Sequence, residues 1–208
     1  MKSGLGKEPL RRFRRHEHLA LGGEAQDRVY RLDEGWACRY TLLPDGRRQI
    51  TALYLPGDVC EPQWVISSKA ELSIVALTDV IATEIPLGSI RNASDEGVSE
   101  LIDALMTNFN RQSDWIVSLG RRSANGRITA LFAEIYSRLQ QNGRVRQPCT
   151  IPLTQQDIAD VVGLTPVHVN RVVSELRRQG LVQFSGKTII VPRPDEIDRQ
   201  QDGMGLAG

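Results

Sequence analysis

Between Leu153 and Gly180 the sequence reads LTQQDIADVVGLTPVHVNRVVSELRRQG, two short amphipathic segments meeting at Gly163-Leu164. The second carries Thr, His, Asn and Arg where a buried helix would carry only apolar residues. These are hydrogen-bonding and cationic groups, suited to base edges and phosphates. Thr154 is placed to cap a helix whose first turn is Gln155, Gln156 and Asp157 and whose buried side is Ile158, Ala159, Val161 and Val162. Gly163 permits the left-handed backbone of a tight turn. Thr165 then caps a second helix, with Pro166 at the first position, where a missing N–H costs nothing. Val169, Val172, Val173 and Leu176 point inward, which leaves Val167, His168, Asn170, Arg171 and Ser174 outside or at the edge.

That pattern predicts a helix-turn-helix whose second helix fits a major groove. Arg171 can donate to guanine O6 and N7 together, Asn170 and His168 offer shorter polar contacts, and Val167 can meet a thymine methyl. Gln155, Gln156 and the N–H groups beyond the caps Thr154 and Thr165 suit phosphates. GLVQFSGKTIIVPR follows as two short strands around Ser185-Gly186, a wing whose Lys187 can reach a phosphate backbone. A trihelical motif of this kind also serves protein contact, and outward polar residues on a helix are often only solvated.

Charge favours the nucleic acid. Residues 1–120 carry 14 Lys/Arg against 17 Asp/Glu, residues 121–193 carry 11 against 4, and residues 194–208 carry 1 against 4. Only the middle block has the sign and density to approach a polyanion. With 208 residues, 40% of them hydrophobic, the chain can bury one good core or two small ones. No stretch is long and apolar enough for a membrane helix, and no apolar run follows the basic N-terminal residues, so a cytoplasmic protein without a membrane partner is expected.

The elements before the motif must position it. From about Leu19 to Ile85, alternating runs are broken by Asp33-Glu34-Gly35, Pro44-Asp45-Gly46 and Pro56-Gly57-Asp58, which predicts antiparallel strands in a sandwich or roll. From Ser94 the period changes. Val98, Ile102, Leu105, Phe109, Gln112, Ile116 and Leu119 are spaced 4-3-4-3-4-3, the a/d seam of a coiled coil. A long helix packed on its own sheet is the alternative, but the strict spacing favours two parallel helices of a homodimer, with Gln112 setting register. Gly120 then stands as a hinge before a second helix with Ile128, Leu131, Phe132, Ile135, Tyr136 and Leu139 on one face.

Other chemistry finds little support. Cys38, Cys60 and Cys149 lack a CxxC pair, which points away from a disulfide framework, structural zinc or an iron–sulfur cluster. His16 and His18 lie far from any nucleophile and no Gly-rich phosphate loop is present, so an enzyme is not expected.

The strands with DGRRQI and LPGD, the heptad helix, LGRRSANGRI and PLTQQDIADVVGLTPVHVNRVVSELRRQGLV together resemble the Crp/Fnr family of bacterial transcription regulators, from about Leu19 to Arg193. The resemblance implies an α+β protein. Its parts would be an N-terminal cyclic-nucleotide-binding-like, jelly-roll-like antiparallel β roll (1–93), a dimerisation helix (94–120), a winged helix-turn-helix (121–193) and a flexible tail (194–208). It further implies a homodimer on a palindromic double-stranded DNA site, with RNA polymerase as an additional partner. Arg171 matches the family's base-reading arginine, whereas Val167 stands where many members carry Glu, and Asn170 where others have Ser or Gly. In cyclic-nucleotide receptors of the family a Gly-Glu pair holds the ribose and an Arg-Ser/Thr-Ala stretch the phosphate. Here Glu61-Pro62 replaces the first and no arginine lies between Arg48 and Arg91, so no cAMP binding is expected. The cysteines do not resemble the oxygen-sensing members' cluster, and no histidine is expected inside the roll as a haem ligand. The effector is left unidentified. The competing reading is a cyclic-nucleotide or small-molecule receptor whose output is protein contact.

Overall fold

The alternating runs between the Gly-containing turns are realised as antiparallel strands within Leu10–Pro86. The computed structural model describes residues 9–143, 148–185, 188–192 and 196–197. Its first eight strands are β1 (Leu10–Phe13), β2 (His18–Ala20), β3 (Arg28–Glu34), β4 (Ala37–Leu42), β5 (Arg48–Tyr54), β6 (Val59–Cys60), β7 (Ser73–Ala76) and β8 (Val80–Pro86). They form two four-stranded sheets, ordered β1-β8-β3-β6 and β2-β7-β4-β5. Phe13, Val29, Leu32, Tyr54, Trp64, Ile74 and Ile85 fill the core, where Phe13 meets Tyr30 edge to face at 5.4 Å. Two short helices, α1 (Trp64–Ser67) and α2 (Leu87–Arg91), were not legible in the pattern. Gly35 cannot be replaced at the β3–β4 turn: its φ is +82°, and an added Cβ would lie 2.0 Å from the Asp79 carbonyl oxygen.

α3 (Asp95–Arg121) follows, with Asp95 and Glu96 in its first turn and Arg121 in its last, each sign matching the helix dipole. Its 27 residues include none that is buried. Next come α4 (Ala124–Gln141), β9 (Cys149–Ile151), α5 (Gln155–Val162), α6 (Pro166–Arg178), β10 (Gln183–Ser185) and β11 (Thr188–Val191). The described chain divides into two units, one within Met1–Thr41 and Thr51–Ser113, the other within Leu42–Ile50 and Asp114–Gly208. In the second, α4, α5 and α6 enclose Ile128, Phe132, Ile135, Ile158, Val169, Val173 and Leu176, beside a β10-β11-β9 sheet. The apolar face of α4 is buried as its periodicity required, and Ser123 caps it by accepting from the Gly126 N–H.

Three features differ from the sequence expectation. The roll starts at Leu10, not near Leu19, because β1 becomes a strand by pairing Leu10–Phe13 with Thr83–Val80 although only Phe13 of it is buried. His18 consequently lies inside the roll, on β2, with Nε2 3.0 Å from the Tyr40 hydroxyl. Gly120 sits within the last turn of α3, and the helical break falls at Arg122-Ser123.

Cys38, Cys60 and Cys149 are free thiols, all buried. Burial pushes the Cys149 thiol from 9.0 up to about 11. Burial, then Asp58 and Glu61, pushes Cys60 well above its ordinary value. The folded state thus keeps thiol protons that the unfolded chain releases, so the stability these thiols contribute is fully present below pH 9.0 and, for Cys149, is lost as pH rises toward about 11. The urea midpoint is expected to fall over that interval, and less steeply in Cys149→Ser; identical slopes would remove Cys149 from the explanation.

Candidate nucleic-acid interface

The motif begins with a reciprocal cap. Thr154 Oγ1 accepts from the Asp157 N–H at 3.1 Å, while Asp157 Oδ2 accepts from the Thr154 N–H at 3.0 Å. Gly163 ends α5 in the left-handed conformation (φ 64°), donating its N–H to the Ala159 carbonyl. Thr165 caps α6 through the His168 N–H at 3.3 Å, and Pro166 opens the helix. α6 then has two faces of opposite character. Val169, Val173 and Leu176 are fully buried, Val172 is half-buried, and Val167, His168, Asn170, Arg171 and Ser174 are exposed.

The outward side chains have distinct local engagements. Asn170 Nδ2 donates to Gln155 Oε1 at 3.1 Å, tying α6 to α5. Gln156 Nε2 donates to Asp160 Oδ1 at 2.6 Å. His168 Nδ1 lies 3.5 Å from Thr165 Oγ1. Arg171 makes no hydrogen bond or ion pair among the described residues, so its guanidinium is available for a ligand. Arg178 is held by Glu175 on its own helix, and Arg177 lies 6.0 Å above the Phe184 ring of the β10–β11 wing. Lys187 falls outside the described residues.

α3 presents a second surface. Val98 (43% exposed), Ile102 (51%), Met106 (52%), Phe109 (64%), Ile116 (71%) and Val117 (57%) leave an apolar stripe uncovered along the helix. Leu105, Gln112 and Leu119 are half-covered. Leu119 reaches toward the α5–α6 turn, where its Cδ2 would stand 3.3 Å from a Cβ at Gly163.

Two family models match: the Crp-like helix-turn-helix domain over residues 126–199 and the cyclic nucleotide-binding domain over residues 10–96. The nitrogen fixation regulation protein FixK of Rhizobium meliloti is 30% identical over 176 residues, 84% of this chain and 79% of that one. The transcriptional activatory protein AadR of Rhodopseudomonas palustris is 32% identical over 189 residues, 90% of this chain and 79% of that one. The chain belongs to the Crp/Fnr family. It is a DNA-binding transcription regulator, not an enzyme. The solved structure of FixK2 from Bradyrhizobium japonicum shares the Crp/Fnr fold with it at a TM-score of 0.80 and 27% identity, over 92% of this chain and 96% of that one.

In this Crp/Fnr roll, the residues after the PGD turn close on each other. Glu61 is buried with a left-handed backbone (φ 48°), a conformation that costs a non-glycine residue about 1–2 kcal/mol. Its carboxylate accepts from Arg39 Nη1 at 2.9 and 3.0 Å, from Gln63 Nε2 at 2.5 Å and from the Tyr54 hydroxyl. Burial, then the adjacent Glu61 carboxylate, pushes the Tyr54 hydroxyl well above its ordinary pKa, so it remains a donor. The carboxylate is fully engaged by its own protein and does not fit the ribose-holding role. Sequence reasoning had found the substitution at Glu61 but not Arg39 and Tyr54, which lie 22 and 7 residues away. It also missed Met106 and Val117, which a strict a/d template passes over.

Proposed function

We propose that the protein acts as a homodimer that reads a two-fold symmetric DNA site, inserting α6 of each subunit into successive major grooves. The observation that carries this reading is the face of α6 with Val167, His168, Arg171 and Ser174 exposed over buried Val169, Val173 and Leu176. Arg171 reads a guanine, Val167 meets an apolar base edge, and Gln155 holds Asn170 in place beside them. N–H groups at the starts of α5 and α6, behind Thr154 and Thr165, hold phosphates. The uncovered α3 stripe pairs with its copy and brings the two reading helices about 34 Å apart, one turn of DNA.

The roll serves this dimer without a cyclic nucleotide. The internal pairing of Glu61 with Arg39 supports that reading, as does the lack of arginine between Arg48 and Arg91. No iron–sulfur cluster or haem belongs to it in this scheme: the cysteines are enclosed thiols, and His18 Nε2 is engaged by Tyr40. The described helices include none long and apolar enough to cross a membrane. The protein works in the cytoplasm, on DNA and beside RNA polymerase.

Selection of bound duplexes from a random pool, at a fixed physiological salt, tests the reading. Wild-type protein is expected to enrich a palindrome with half-sites one helical turn apart. Arg171→Ala should lose about 1–3 kcal/mol on that site and relax one guanine position per half-site. An equal loss on random DNA would make Arg171 a phosphate contact, and no DNA binding at all would favour a protein-contact output.

A further inference from the structure

α5 is held from outside its own sequence neighbourhood. It has eight residues, too few to be stable alone, and two of its side chains, Asp157 and Asp160, are buried carboxylates one turn apart. The tip of the β4–β5 hairpin belongs to the same unit and meets both of them. Arg48 Nη2 donates to Asp157 Oδ1 at 2.5 Å, and Arg48 Nε donates to Asp160 Oδ2 at 2.6 Å. The remaining oxygens are satisfied within α5 and its cap: Thr154 N–H and Oγ1–H donate to Asp157 Oδ2, and Gln156 Nε2 donates to Asp160 Oδ1. One guanidinium therefore bridges two carboxylates that are only 8% and 7% exposed.

The same tip closes the other end of the helix. Gln49 Nε2 donates to the carbonyls of Asp160 at 2.7 Å and Val161 at 3.2 Å. Arg127 Nη1 donates to the carbonyl of Val162 at 3.2 Å, and the N–H groups of Gly163 and Leu164 reach that of Ala159. All four C-terminal carbonyls of α5 are thereby satisfied, two of them by one hairpin side chain. α5 in turn holds α6 through the Gly163 turn and the Gln155–Asn170 hydrogen bond. With the hairpin in contact, Val167, His168, Arg171 and Ser174 stay exposed, so this contact steadies the reading face without covering it.

We propose that Arg48 and Gln49 are positioning residues for DNA reading: the hairpin tip fixes α5, and through it α6, at the angle the base contacts require. This rests on the assignment of α6 as the reading helix. Arg48 and Gln49 are the first two residues of β5, and Leu42–Ile50 belongs to the unit that holds α5 and α6.

The test compares affinity for the selected palindrome with affinity for random duplex, alongside thermal unfolding. Arg48→Ala is expected to lower palindrome affinity by about tenfold or more while random-duplex affinity, which needs only charge, stays within about twofold. Gln49→Ala, which removes no charge, should shift the same ratio in the same direction by a smaller factor. In Arg48→Ala/Asp160→Asn one of the two buried carboxylates that lose Arg48 is neutral, so thermal stability recovers in part while palindrome affinity stays low. Recovery of both would make Arg48 merely a structural counter-charge and overturn the proposal. Wild-type discrimination by Arg48→Ala and Gln49→Ala, with discrimination lost in Arg171→Ala, would overturn it alone. Retained discrimination in Arg171→Ala as well would overturn the reading on which it rests.

Discussion

Placing glutamate at Ile102, Phe109 and Ile116 together is expected to leave a folded monomer whose affinity for the palindrome falls by at least about 10²-fold. These side chains are 51%, 64% and 71% exposed, so the substitutions remove little packing within the subunit. They place six charges where two α3 stripes would meet in a dimer, in a low-dielectric seam that cannot solvate them. The loss on DNA follows from effective concentration. Once one reading helix of a dimer has docked, the second samples its half-site at roughly millimolar local concentration, an advantage a monomer lacks. Sedimentation at micromolar protein and titration on whole and half palindromes separate the two effects. Half-site affinity should be unchanged, and a monomer that still bound the whole palindrome as the wild type does would end the dimeric account.

The second large effect concerns stability. Arg39→Ala is expected to cost about 3–5 kcal/mol, because it strands the Glu61 carboxylate in the roll without its counter-charge. Arg39 and Glu61 side chains are only 12% and 3% exposed, so water cannot replace the lost partner. Glu61→Gln in the Arg39→Ala background should restore much of the loss, since a neutral amide still meets Tyr54 and Gln63. A native domain is stable by about 5–15 kcal/mol in total, so the single variant should show a much lower urea midpoint at an unchanged m-value. A midpoint near that of the wild type would show that the roll relaxes around Glu61 and admits solvent.

What the sequence disclosed about the reading head was local. Thr154, Gly163, Thr165 and Pro166 act within one helical turn of where they stand, and the period of Val169, Val173 and Leu176 separates the two faces of α6 without further knowledge. What it withheld was long-range. Arg48 and Asp157 are separated by 109 positions, and nothing in DGRRQI marks which arginine turns toward the helix. The α3 seam illustrates the intermediate case. Spacing placed a long helix there, and of its seven a/d positions Val98, Ile102, Phe109 and Ile116 are exposed, whereas Leu105, Gln112 and Leu119 are half-covered while Met106 and Val117 stand open, because neighbouring segments decide which edge of an apolar stripe stays uncovered. β1 shows the limit of periodicity: a strand with three exposed residues of four is made by its partner β8.

The bond between Asn170 and Gln155 bears on how such a regulator acquires new targets. Val167, Arg171 and Ser174 have no hydrogen-bonding or ion-pairing duty among the described residues, so each can be exchanged singly with little effect on the fold. Position 170 is different, because its amide also joins the two helices. If Asn170 faces a base as proposed, a new preference there calls for paired change at 155 and 170. Drift in operator preference should run through 167, 171 and 174 first, with the 155–170 pair as the slow coordinate of divergence.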